Sequence, residues 1–134
     1  MGQYGEVAVE AVRLIIEKKI PPLRAWNSAS VNIVASAMSI KKGCPRKAFL
    51  GLCGAGLLNI AFESDFNVDA AIGSHNGQYA ITAVKKLKDH AELAESKQHL
   101  WVQVLQCLNA EIDKKHNGQM DVVISLWTKD FISR

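Results

Sequence analysis

The chain has 134 residues, a net charge of +3 and a hydrophobic content of 49%, which is the composition of one ordinary globular domain. This length suffices to bury a core without disulfide bonds. The three cysteines show no CxxC spacing, which argues against a disulfide framework and indicates a reducing compartment. The mild positive charge allows an anionic partner without requiring one. There is no signal-peptide pattern and no apolar run long enough to span a membrane, so we expect a cytoplasmic protein that does not associate with membranes.

Apolar residues at helical spacing predict three helices in the first half of the chain. The first two cover about residues 4–19 and 23–38 and are separated by a proline pair. The third helix starts at Pro45 with Cys44 in the capping position, and it weakens at the glycines near its end.

The second half repeats this plan after a connection without a clear period over residues 59–74, which holds at most a short helical turn. Helices are predicted over about residues 78–89 and 119–131. Between them, a longer helix is capped by Ser96 and extends to about Ile112.

A shift of about 75 positions aligns the two halves of the sequence. It places Trp26 on Trp101 and the Gly-Gln-Tyr segment 2–4 on segment 77–79. A slip of one or two residues also matches Lys41-Lys42 with Lys114-Lys115, Cys44 with Asn117, and Phe49, Leu52, Leu57 and Leu58 with Val123, Leu126, Phe131 and Ile132. Such a match at a fixed period indicates an internal duplication.

We therefore predict an all-α fold of about six helices, arranged as two pseudo-equivalent three-helix halves in one compact domain over residues 1–134. The half-repeats span about residues 2–58 and 77–132, with residues 59–76 as their connection. The two tryptophans are expected at corresponding core positions.

Two segments resemble a family of small uncharacterised bacterial proteins that carry a domain of unknown function. They are Gly-Cys-Pro-Arg-Lys-Ala-Phe-Leu-Gly-Leu-Cys at 43–53, and His-Asn-Gly-Gln-Met-Asp-Val-Val at 116–123, followed by Leu126-Trp127. The resemblance implies no activity, substrate or catalytic residue.

The tetrapeptide His-Asn-Gly-Gln occurs at 75–78 and again at 116–119, each time next to a predicted helix. In one interpretation the segment is a helix entrance: His or Asn caps the helix, Gly takes a positive φ, and Gln reaches back to free backbone groups. In the other, exposed N–H groups, the helix dipole and the histidine bind a phosphate or a carboxylate.

Cys44 is a candidate nucleophile. A thiol at a helix N-terminus beside Lys41, Lys42, Arg46 and Lys47 is expected to have a lowered pKa. His75 or His116 would then serve as the base, and Asp121 or Asn117 as the orienting group. Alternatively, Cys44 only caps its helix. A zinc site that combines Cys44 with His75, His99 or His116 would match no recognised ligand spacing, so no metal is expected.

The same cations could bind nucleic acid, because Lys41, Lys42, Arg46 and Lys47 open the third helix as a compact basic segment. The rest of that helix lacks the side chains that read base edges. The matching helix of the second half carries Asp121 and Asp130, which would repel DNA.

No acid–base pair, metal set or cofactor loop is convincing, and no cofactor is expected. We therefore predict a non-enzymatic helical binding or adaptor protein for a protein or a small anionic ligand. A DNA-binding protein with helix-turn-helix-like halves is the second hypothesis, and a hydrolase or transferase dependent on Cys44 is the third. The predicted binding residues are Lys41, Lys42, Cys44, Arg46, Lys47, His75, Asn76, His116, Asn117 and Gln119.

Overall fold

The computed structural model describes residues 2–34, 43–111 and 114–134, and over these residues the protein is helical without strands. The predicted all-α class is therefore confirmed. The described residues form seven α-helices: α1 (Gln3–Lys18), α2 (Pro22–Ile33), α3 (Gly43–Gly54), α4 (Val68–Gly73), α5 (His75–Asp89), α6 (Lys97–Cys107) and α7 (Gln119–Thr128). A 3-10 turn over Ala91–Glu95 precedes α6.

Some helix boundaries differ from the predicted ones. α6 ends at Cys107 rather than near Ile112, because Asn109 takes a φ of 55°, which does not continue a right-handed helix. α2 ends at Ile33 rather than near Met38, because Val34 has extended backbone angles, φ −86° and ψ 130°. Met38 and Ile112 themselves lie outside the described residues. The short helix α4 forms inside the predicted connection, so the described helices exceed the expected six.

The helices of the two halves interleave. α1 packs against α2 and α7, while α5 packs against α3 and α6, and α3 also contacts α7. Trp26 and Trp101 are each 1% exposed, and each is the fifth residue of its helix. The ring centroid of Trp26 lies 5.2 Å from that of Phe49, and the centroid of Trp101 lies 5.0 Å from that of Tyr79. One hydrophobic core therefore spans both halves, with a buried tryptophan in each.

α3 and α7 end with the same backbone geometry. After α3, Gly56 takes a φ of 72°, and the N–H of Leu57 donates to the carbonyl of Leu52 at 3.1 Å. After α7, Asp130 takes a φ of 61°, and the N–H of Phe131 donates to the carbonyl of Leu126 at 2.9 Å. In both cases a left-handed residue and a long-reach hydrogen bond satisfy the last carbonyls of the helix.

The two chain segments that leave these helices pair with each other. Leu58 and Ile132 form an isolated antiparallel bridge. The N–H of Asn59 donates to the carbonyl of Phe131, and the N–H of Ser133 donates to the carbonyl of Leu57, both at 2.9 Å. Exchanging the segment after α3 with the segment after α7 reproduces the same pair of hydrogen bonds. This symmetry is what the predicted duplication requires; the duplication itself stays a prediction.

Relative to the two Gly-Gln-Tyr segments, α5 begins three residues earlier than α1. Gly2 precedes α1 and Ser74 precedes α5 with nearly the same backbone angles, φ −69° and ψ 163° against φ −68° and ψ 153°. Gly77 is therefore the third residue of α5 and corresponds to Gly5, not to Gly2. The predicted match of Gly-Gln-Tyr segments therefore differs from the match of the helix starts, and it stays a prediction. Gly77 is closely packed inside the fold, since a Cβ on Gly51 of α3 would lie 2.6 Å from its Cα.

Candidate functional site

The first His-Asn-Gly-Gln segment forms the opening turn of α5 instead of preceding the helix. Ser74 caps α5, since its Oγ accepts a hydrogen bond from the N–H of Gly77 at 2.9 Å. Gln78 reaches back, and its Nε2 donates to the carbonyl of Ile72 at 2.6 Å. The predicted start of this helix at Gln78 is therefore wrong by one turn, because the cap is a serine upstream of the motif.

The second segment precedes α7 as predicted. Gly118 is the residue before the helix, with a φ of 95°, and no side chain caps the helix there. Gln119 reaches back, and its Oε1 accepts from the N–H of Asn117 at 2.5 Å. The predicted roles of Gly and Gln are confirmed in this copy. Asn117 contributes its backbone rather than a side-chain cap.

The two segments meet in the folded chain. Nε2 of Gln119 donates to Oδ1 of Asn76 at 2.8 Å, across 43 positions of sequence. Gln119 is 2% exposed, so this amide is buried with both of its polar ends hydrogen-bonded. Three of the predicted binding residues (Asn76, Asn117 and Gln119) thus form one hydrogen-bonded group.

The two motif histidines lie in different surroundings. His75 is exposed and lines a shallow pocket of about 220 Å³ together with Gln78, Tyr79, Leu108 and Ala110. His116 is half-buried and packs edge-on against Trp101, with 6.0 Å between ring centroids. Nε1 of that tryptophan donates to the carbonyl of Lys114 at 2.6 Å. The second histidine therefore belongs to an aromatic cluster at the rim of the core.

The basic segment is described only in part. Lys41 and Lys42 lie outside the described residues. Cys44 and Arg46 are half-buried and Lys47 is exposed, all in the first turns of α3. Cys44 lies inside the described helix, so it is not the residue before it. Among residues 2–34, 43–111 and 114–134, no group of three or more His, Cys, Asp or Glu side chains could hold a metal ion.

Two carboxylates that the sequence analysis did not assign to helix ends contact helices distant in sequence. Asp65 accepts from the N–H groups of Leu23 and Arg24 at 2.8 and 2.9 Å, so it caps α2 from 42 and 41 positions away. Asp121 is buried and pairs with Nζ of Lys97 at 3.0 Å. A local sequence pattern signals neither contact, because each partner is remote along the chain.

An open groove runs between α1 and α7 and has a volume of about 490 Å³. Its walls carry Gly5, Glu6 and Val9 from α1, Ser125 and Thr128 from α7, and Ile33 from the end of α2. We call it the α1–α7 groove. None of these residues is among the predicted binding residues, because the groove is formed by helices that lie at opposite ends of the sequence.

A second groove, between α3 and α5, is filled by the chain's own helix α4. A Cβ on Gly77 would lie 2.1 Å from the carbonyl oxygen of Ala71, and a Cβ on Gly54 would lie 3.2 Å from Cγ1 of Val68. Four residues of these two walls lie against α4, and we call them its seat. Gly77 and Gln78 are the third and fourth residues of α5. Gly51 and Gly54 are the fourth from last and the last residues of α3. The same places in α1 and α7 are taken by Gly5, Glu6, Ser125 and Thr128, and all four line the α1–α7 groove.

Residues 1–133 match a family of unknown function, DUF6979. The chain belongs to this family. No curated protein and no solved structure matches the chain. The resemblance to a family without a known activity is thus confirmed at family level, while bacterial origin and the two motifs as DUF6979 signatures stay predictions. In the part of this DUF6979 chain that the structure describes, every helix is too short or too polar to cross a membrane.

Proposed function

We propose that this DUF6979 protein is a non-enzymatic binding protein that holds a protein partner in the α1–α7 groove. The observation that carries the proposal is the contrast between two grooves with corresponding walls. One is filled by α4, whereas the other, among residues 2–34, 43–111 and 114–134, is a cavity of about 490 Å³ that no described helix fills. A helix that lays its apolar face in a groove is a recurring mode of protein recognition.

The correspondence of the two grooves rests on the proposed internal duplication. Two observations support that duplication: the matching ends of α3 and α7, and the exchanged hydrogen bonds after them. The placement of each tryptophan at the fifth position of its helix fits the same scheme.

The other two functional hypotheses have less support. Residues 48–53 of α3 are all buried, so only the first turns of that helix, with Arg46 and Lys47, remain accessible to DNA. Asn76, Asn117 and Gln119 bond to one another, which supports a structural role for the His-Asn-Gly-Gln segments rather than an anion site. No base is placed against Cys44 by any described contact. A cytoplasmic location remains our proposal, supported by three free cysteines.

Position-specific photo-crosslinking in the native host tests the proposed function. A benzophenone amino acid replaces Val9 in the groove or, as a control, the exposed Lys85 on α5. We expect one defined protein adduct from position 9 that disappears in a Thr128→Trp variant, which fills the groove, and persists in a Lys85→Trp variant. Equal adducts from both positions, or no adduct from position 9, would overturn the proposal.

A further inference from the structure

We infer that the partner segment is a short helix that seats in the α1–α7 groove as α4 seats between α3 and α5, with a small residue at its centre and a basic residue near its C-terminus. This inference rests on the proposed function, since it names the chemistry of the partner at the same site. Three features of the described residues carry it: the entry path, the close approach, and the charge at the end of the seat.

The backbone path from α4 into α5 indicates where a helix in the α1–α7 groove would end. α4 leads into α5 through one residue, Ser74, which has extended backbone angles. Gly2 enters α1 with nearly the same angles. A helix that occupies the α1–α7 groove in the orientation of α4 therefore ends beside Gly2.

The close approach defines the centre of the helix. In the filled groove the carbonyl of Ala71 lies against both Gly51 and Gly77, where added Cβ atoms would stand 3.3 and 2.1 Å from its oxygen. In the α1–α7 groove, α1 keeps a glycine at this place, Gly5, while α7 carries the buried Ser125. Gly5 is buried and has no Cβ, so a helix packed on this wall would approach α1 most closely with a small residue at its centre, and a bulky side chain there would hold the helix away.

The charge at the end of the seat differs between the two grooves. Gln78 donates to the carbonyl of Ile72, one of the last carbonyls of α4. Its counterpart Glu6 has a carboxylate and therefore no side-chain N–H to donate. One turn later, Oε1 of Glu10 pairs with Nη1 of Arg13 at 3.2 Å. A carboxylate there repels the negative end of a helix dipole unless the helix brings a Lys or Arg near its C-terminus. Arg13 and Lys129 also line the groove and Arg13 pairs with Glu10, so the preference for a helix with a basic end comes from Glu6.

Grafting the α4 sequence onto the N-terminus of this protein tests the seat before any partner is identified. The α4 sequence with its cap, Asn-Val-Asp-Ala-Ala-Ile-Gly, replaces Met1 behind a new initiator methionine. Gly2 is kept because a Cβ there would lie 2.8 Å from Oδ2 of Asp121. Linking the segment to the protein raises its effective concentration, so weak seating becomes measurable. The control is a Gly-Ser extension of equal length.

We expect the graft to raise the melting temperature above that of the control by about 3 °C or more. The gain in melting temperature should be larger in the Glu6→Gln background, because the new glutamine can donate an N–H as Gln78 does to α4. The gain should be lost when the second grafted alanine, which is the counterpart of Ala71, is replaced by Leu. A graft that ends in Lys should stabilise more than one that ends in Glu, and this difference should vanish with Glu6→Gln. A graft no better than the Gly-Ser control in either background, or equal effects of Lys and Glu, overturns the inference.

The outcomes separate this inference from the proposed function. If the graft stabilises the protein but position 9 gives no adduct, the helix seat is supported and the protein partner is contradicted. If position 9 gives an adduct but the graft has no effect on stability, a protein partner is supported and the α4-like helix is contradicted. An adduct whose peptide comes from this protein itself, in the same or a second copy, overturns both.

Discussion

The side-chain amide of Gln119 donates a hydrogen bond of 2.8 Å to Oδ1 of Asn76, and this bond joins the two His-Asn-Gly-Gln segments inside the fold. The other end of the same amide accepts from the backbone N–H of Asn117. A repeated motif that suggests a ligand site in the sequence therefore holds α5 to the start of α7 in the structure.

Removing this amide should destabilise the protein. Gln119→Ala removes the partners of the Asn117 N–H and of Oδ1 of Asn76, which are both part-buried, and we expect a cost of about 1 kcal/mol for each lost bond. Chemical denaturation of Gln119→Ala, Asn76→Ala and the double variant measures the free energy of unfolding. We expect the two effects to be non-additive by about 0.5 kcal/mol or more. Strict additivity would contradict a direct bond between the two side chains.

Three glycine substitutions should rank by conformation and space. Gly118→Ala should cost most, because the residue has a φ of 95° and a Cβ would lie 2.8 Å from the ring of Tyr4. Gly56→Ala has only the strain of a φ of 72°, about 1–2 kcal/mol, since nothing lies within 4 Å of its Cβ. Gly73→Ala has neither problem and should be neutral or stabilising. Thermal unfolding of the three variants checks the order, and a Gly56 variant as unstable as the Gly118 variant would contradict it.

Asp65 should stabilise α2 from a distance. Asp65→Ala removes the acceptor for two backbone N–H groups at the start of that helix and should cost about 1–2 kcal/mol. Asp65→Asn keeps one acceptor oxygen and should cost less. Asp69→Ala, an exposed acidic residue in α4, is the matched control. Denaturation curves in which Asp65→Ala and Asp69→Ala coincide would show that the cap contributes nothing.

The thiols should differ in reactivity in the order of their exposure. Cys107 is exposed, Cys44 is half-buried and Cys53 is buried. Burial, with a smaller contribution from the charge of Asp65, raises the pKa of Cys53 far above its ordinary value. A thiol reagent should therefore modify Cys107 first and Cys53 only on unfolding, and rapid modification of Cys53 in the native protein would contradict the described packing.

The same burial gives a pH dependence with a definite sign. In the unfolded chain the thiol of Cys53 ionises near its ordinary pKa of 9.0, whereas in the folded protein it stays protonated. The unfolded state then binds fewer protons, so the contribution of Cys53 to stability is lost as pH rises above that value. Cys53→Ala should flatten this part of the stability–pH curve, measured relative to wild type.

Anions should not bind the His-Asn-Gly-Gln segments. Thermal-shift measurements with phosphate, nucleotides and carboxylates at constant ionic strength should leave the wild type unchanged, because the amides of the cluster bond to one another. A shift in the wild type that is lost in His75→Ala or His116→Ala would restore the ligand interpretation.

Helical periodicity predicts the long helices well, because their apolar stripes are continuous. It places Trp26 and Trp101 in the core, and Ser96 caps α6 through a 3.2 Å bond from the N–H of His99, as predicted. α4 could not be predicted with confidence from a window of six residues. It is held by packing against the glycines of α3 and α5, which lie elsewhere in the chain.

The candidate site was harder to predict than the fold. The residues of the His-Asn-Gly-Gln segments have the chemistry of a cap and of an anion site alike, and only their partners decide between the two. The α1–α7 groove brings Gly5 and Thr128, which are 123 positions apart in the sequence, into the lining of one cavity, and no local pattern contains that fact.

The central claim is that the α1–α7 groove is a helix seat like the one that holds α4. Nuclear Overhauser effects in the grafted protein test it most directly, with methyl labels on the grafted valine and isoleucine and on Thr128. In the filled groove, Val68 and Ile72 stand 3.2 and 3.4 Å from a Cβ built on Gly54, whose counterpart is Thr128. We predict cross-peaks from both grafted methyl groups to the methyl group of Thr128. A folded graft protein that shows none of these cross-peaks would contradict the claim.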